Sequence, residues 1–123
     1  MKILLLMVLI SIAGRAVAEE HDCFDQPTNF EVDRCFSRDL ARADEQLSAA
    51  IANAMAKFLP KERLTFTRSH DAWKNYRDLH CDFVGSMFEG GRMKPLIEAQ
   101  CRIVLTKDRV AAVNSIDLST RNQ

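Results

Sequence analysis

Four cysteines constrain this 123-residue chain more than any other feature. All of them, Cys23, Cys35, Cys81 and Cys101, follow an N-terminal stretch that reads as an export leader. That stretch has Lys2, an apolar run from Ile3 to Ala13, then Gly14, Arg15 and an Ala16-Val17-Ala18 ending. A short positive start, an apolar centre and an A-x-A end make a signal peptide over residues 1–18, with cutting expected after Ala18. The run is well short of the roughly 20 residues that span a bilayer, so no membrane anchor is expected after cleavage. No cysteine stands at the cleavage point to take a lipid, and the expected product is periplasmic or secreted. An even number of cysteines in a small exported domain reads as two disulfides. Zinc is the weaker reading, because the intervals of 11, 45 and 19 residues contain no close pair of ligands. No C-x-x-C motif suggests a reactive thiol.

The exported part, residues 19–123, is long enough for a single domain. Taking Lys2 and Arg15 from the chain's 17 basic residues leaves 15 against 17 acidic ones, a net charge of −2. Nucleic-acid binders carry a basic stripe, and none is present here. Thr28 followed by Glu31 forms a capping box that opens a helix. From there Phe36, Leu40, Ala43, Leu47, Ala50, Ile51, Ala54 and Phe58 recur every three or four residues, which predicts one long helix over about 29–58. Pro60 ends it and can start the next, because proline is tolerated in a first helical turn. The second helix is expected from Pro60 to Val84, with Leu64, Phe66, Ala72, Trp73, Tyr76, Leu79, Phe83 and Val84 facing inward and Gly85 as its stop. A loop from Gly85 to Lys94 leads to a third helix at Pro95, which Thr106 could interrupt by capping a new turn.

The fold class is therefore all-α: an antiparallel helical hairpin plus a third helix, braced by two disulfides. Four cysteines allow three pairings, and spacing alone does not choose. Across a hairpin turning at Leu59, Cys35 and Cys81 come level to within about 3 Å at 1.5 Å per residue. That geometry favours Cys35–Cys81 with Cys23–Cys101. The local alternative, Cys23–Cys35 with Cys81–Cys101, closes shorter loops.

The stretch from Ala72 to Cys81 holds the only tryptophan and the only tyrosine. Trp73, Tyr76, Arg77 and His80 share one helical face. Core packing is the expected duty of Trp73 and Tyr76, while Arg77 either snorkels to solvent or pairs with an acid of the first helix such as Asp44. No enzyme is expected. His70 and His80 lie about 15 Å apart along a helix, too far to share a site. No phosphate loop, G-x-S-x-G or H-E-x-x-H occurs, and no cofactor is implied.

Taken as a set, Cys35, Ala43-Asp44, Leu47, Ala72-Trp73, Tyr76-Arg77-Asp78, Cys81, Gly90-Gly91, Cys101, Leu105-Thr106 and Arg109 resemble the LprI-type lysozyme inhibitor domain, over about residues 23–116. The chain departs from that pattern with Leu47-Ser48 leading to Ile51, with His70 where the family usually has Gln, and in lacking the lipidation cysteine of the named inhibitor. The resemblance implies a small helical protein of the bacterial envelope that binds a protein partner, a lysozyme, and blocks it. The alternative is an envelope module for another partner, an assembly factor or a toxin. The candidate contact is the loop bearing Ser86, Glu89, Gly90, Gly91 and Arg92. Its glycines would let backbone approach a concave surface. The acidic N-terminal segment (Glu19, Glu20, Asp22, Asp25) is a second possible contact, acting mainly on encounter rate.

Overall fold

The computed structural model describes residues 22–119 and 121, so the leader at 1–18 lies outside the described residues. Three helices follow a short 3-10 turn at Cys23–Asp25: α1 (Asn29–Lys57), α2 (Pro60–Ser86) and α3 (Met93–Asn114). Among the described residues there is no strand. The all-α expectation with two disulfides is met.

Local chemistry fixes each boundary. The Asp22 carboxylate accepts the Phe24 N–H at 2.9 Å and caps the first turn. Thr28 caps α1, accepting the Glu31 N–H at 3.2 Å and donating its hydroxyl to the Glu31 carboxylate at 2.7 Å. Both residues between α1 and α2 are extended. The bend is pinned by Glu62, which accepts the Leu59 N–H at 2.8 Å, and by Arg63, which donates to the Phe58 carbonyl at 3.0 Å. Pro60 opens α2, where a missing N–H costs nothing.

Two expected boundaries move. Gly85 does not stop α2 but lies buried inside it, where a Cβ would fall onto Glu98 Cγ of α3. Its role is close helix approach, and the chain turns later, at Gly90, which has φ +80°. α3 starts at Met93, and Thr106 does not interrupt it. The Thr106 side chain is fully buried and accepts a hydrogen bond from Arg77 of α2, so it is a packing position.

α1 and α2 run antiparallel, but α3 packs closely along both and fills the groove between them. Where α1 and α2 meet, they do so through side chains such as Asp44–Arg77 and Phe58–Phe66. That arrangement corrects the favoured disulfide scheme. The bonds are Cys23–Cys35 and Cys81–Cys101, with Cα atoms 5.4 and 5.6 Å apart. Cys35 and Cys81 are level along the hairpin, yet α3 stands beside Cys81 and offers Cys101 at bonding distance. Cys23, twelve residues upstream of Cys35, folds back onto α1 through the 3-10 turn, where Phe24 also meets Phe36 edge-on at 4.9 Å.

The core has two centres. One gathers Val32, Phe36, Leu96 and Ile103 around the Cys23–Cys35 bond. The other gathers Leu47, Ala50, Ala54, Phe58 and Val113, with Phe66 and Trp73 packed against it. The stripe read from α1 is the buried one. The apolar residues of α2 divide differently: Phe66, Trp73 and Val84 are partly covered, whereas Leu64, Tyr76, Leu79 and Phe83 are exposed. On α3, Leu96 and Val113 are buried, but Val104 is not, nor is Ile116 just beyond the helix. A helix with apolar residues on more than one side cannot bury them all against a single neighbour.

Candidate functional site

Of the four residues on the central face of α2, Arg77 is the hub. Its side chain is 15% exposed, and its Nη1 donates to Asp44 Oδ1 and to Thr106 Oγ1, each at 3.1 Å. Its Nε donates to Asp78 Oδ1 at 3.1 Å, and its guanidinium sits 5.3 Å from the centre of the Trp73 ring. One cation thus ties all three helices together, and the expected Asp44 partner is in place. Trp73 is also covered by Arg109 of α3, whose guanidinium lies 5.6 Å from Trp73 and 5.7 Å from Phe66. His70 stacks between Phe66 and Trp73, at 6.2 and 5.5 Å.

Burial and the nearby Arg109 and Lys74 hold the His70 imidazole below its ordinary pKa, while Asp71 pulls weakly the other way. Its Nδ1 is buried without a hydrogen-bond partner among the described residues. Rings and cations alternate here, and their contacts hold α2 and α3 together. Cys23 and Cys35 lie with Asp39 at a spacing that could suit a metal, but both sulfurs are committed to the disulfide.

Tyr76 departs from its expected place. It is not core but 54% exposed, stacked on His80 at 5.4 Å. Tyr76 instead belongs to a ridge along the outer side of α2, with Leu79 (62% exposed), Phe83 (60%) and Met87 (63%). Phe88 extends it into the turn. Contiguous apolar surface of this kind marks a place where something docks. The sequence carried the signal in the spacing of Tyr76, Leu79 and Phe83, which also fits a buried face.

The α2–α3 turn, Met87–Arg92, is the other candidate, and it is held in shape. Ser86 donates its hydroxyl to the Phe83 carbonyl at 2.6 Å, closing α2. Arg92 reaches across to α1, donating to the Asn29 carbonyl at 2.9 Å and to Asp33 at 3.3 Å. Glu89 pairs with Lys94 at 3.4 Å. Nothing lies within 4 Å of where a Cβ on Gly90 would project, so the backbone there is open to an approaching surface. Of the expected loop residues, Ser86 and Arg92 shape the tip, while Glu89, Gly90 and Gly91 are presented by it. Just behind the tip, Arg102 of α3 bonds Asp82 of α2 at 2.5 Å, next to the Cys81–Cys101 bond.

Residues 22–112 match the family model described as Lysozyme inhibitor LprI. The chain is also similar to an uncharacterized protein of Rhizobium meliloti (strain 1021), 23% identical over 95% of this chain and 94% of that protein. No solved structure matches it.

Proposed function

Because this chain belongs to the Lysozyme inhibitor LprI family, we propose that it is exported, docks onto a lysozyme and blocks it without chemistry of its own. The leader read at residues 1–18 and the two disulfides both suit an oxidising compartment outside the cytoplasm. No helix among the described residues is long and apolar enough to cross a membrane.

The observation that carries the docking reading is the tip at Met87–Arg92, fixed at its base before any partner arrives. Lysozymes cleave between two carboxylates that flank a cleft. A convex segment fits such a cleft, and one already held by Arg92 and by the Cys81–Cys101 bond gives up little conformational freedom on binding. Phe88 supplies apolar contact, and the open backbone at Gly90 allows close approach.

The test is lysis of a bacterial suspension by lysozymes of several classes, with the purified oxidised chain added. Dose-dependent protection is expected against at least one class. Phe88→Ala with Glu89→Arg should abolish protection while leaving the melting curve unchanged. Undiminished protection by that variant moves the contact off the tip. Unaltered lysis at large excess over every class removes the inhibitor reading.

A further inference from the structure

The outer ridge of α2 is spaced as a helix–helix seam. Thr65, Ser69, Ala72, Tyr76, Leu79 and Phe83 follow one another at alternating steps of four and three, and all six are exposed. A 3.5-residue repeat keeps its side chains facing one partner helix along the whole length. The inner face of α2, through Phe66, Trp73, Arg77, Cys81 and Gly85, is already taken by α3 and α1. We propose that this seam is a self-association surface, on which a second copy of the chain packs its own α2 antiparallel.

Shape and charge point to a second copy. At roughly 200 Å² for a fully exposed large side chain, the seam's Tyr76, Leu79 and Phe83 present on the order of 350 Å². Two such patches face to face bury about 700 Å², the size of a weak, reversible contact, so the case for a second copy rests on how the two seams fit. Antiparallel packing sets Tyr76 against Ala72 of the second copy, Leu79 against its Ser69, and Phe83 against its Thr65. Large then meets small at every layer and the layers interdigitate.

The same register brings Arg68 opposite Asp82 of the second copy, twice by symmetry, and Asn75 opposite its own counterpart. Arg68 has no ion pair or hydrogen bond among the described residues. Asp82 bonds Arg102 through Oδ1, which leaves Oδ2 to accept Arg68. A parallel pairing would stack Tyr76 on Tyr76 and Phe83 on Phe83 and leave both charges unanswered. In the antiparallel dimer each tip begins about 18 Å from the symmetry axis, at 1.5 Å per residue from Asn75 to Met87. The tips therefore point away from each other and both stay open. Self-association neither needs nor blocks the inhibitory contact.

Sedimentation equilibrium of the oxidised chain, without any lysozyme, tests this. A dimer is expected at tens to hundreds of micromolar, weakening with salt. Leu79→Asp should raise its dissociation constant at least a hundredfold with an unchanged circular dichroism melt, since that side chain touches no core. Arg68→Glu should raise it about fivefold and flatten the salt dependence. A spin label attached through Asn75→Cys should show strong dipolar broadening, whereas one at Gly91→Cys should not. A monomer at hundreds of micromolar overturns the proposal. So does a Leu79→Asp dimer as tight as the parent, or a ridge that is covered only when a different protein is added. Lysis protection, measured separately, can survive or fail without bearing on any of these outcomes.

Discussion

The two ends of this bundle are held by different means. At the end that carries the tip, the Cys23–Cys35 bond lies among Val32, Phe36, Leu96 and Ile103, the Cys81–Cys101 bond joins α2 to α3, and ion pairs lie on the surface: Arg92 to Asp33, and Arg102 to Asp82, Asp78 and Glu98. At the far end, Leu47, Ala50, Ala54, Phe58 and Val113 pack without a crosslink, and rings and guanidinium groups fill the space around Trp73. Arg77 sits between the two, bonded to α1 through Asp44 and to α3 through Thr106. Small residues on α1 let α3 come close at the far end, so dispersion and burial suffice there. At the tip end three chain segments converge on a short core. Covalent bonds there limit how far the tip can move when the rest of the bundle breathes. The docking role proposed for the tip would gain from its standing on the crosslinked end.

That contrast can be broken at either end. The largest effect is expected from Phe58→Ala, which empties a buried aromatic position facing Phe66 and should cost about 3–5 kcal/mol in urea unfolding of the oxidised chain. A loss below 1 kcal/mol would mean that packing is not what holds the far end. Next is Cys81→Ser with Cys101→Ser, which opens a loop spanning 20 residues in sequence and should cost about 3 kcal/mol. Amide exchange should then rise across both helices that flank the tip. Cys23→Ser with Cys35→Ser frees a peripheral turn, so faster exchange should stay within residues 22–35.

Arg77→Ala should cost less, about 1–2 kcal/mol, because Asp44 and Asp78 are half-exposed and only the Thr106 hydroxyl is left buried without its donor. Adding Thr106→Val should restore part of that loss, since removing both partners of a buried hydrogen bond is milder than removing one. The smallest effect is that of pH. The folded chain holds His70 below the unfolded value of about 6.5, so the unfolded chain takes up the proton first as pH falls. The stability conferred by the neutral imidazole is complete above that value and is lost as pH drops through the lower folded value. Trp73, stacked on His70, should report the loss as a fluorescence melt that moves to lower temperature between pH 7 and pH 5. His70→Gln should remove that part of the dependence.

Local signals in the chain were enough to place the three helices, though not every end of them. Thr28 with Glu31 set the start of α1, Leu59-Pro60 set the bend, and the three-and-four spacing along α1 marked its buried stripe, because caps, proline and periodicity act within a few residues. The sequence also offered Asp44 as a partner for Arg77, since a long cation on one helix of a hairpin can reach an acid on the other. Which cysteines join, which side of α2 is covered, and that Gly85 is a contact rather than a stop were decided only when α3 settled between α1 and α2. Level positions on a hairpin do not bond when a third helix stands beside one of them. A helix with apolar residues on two sides, as α2 has in Trp73 and in Leu79, carries no local sign of which side its neighbour will take.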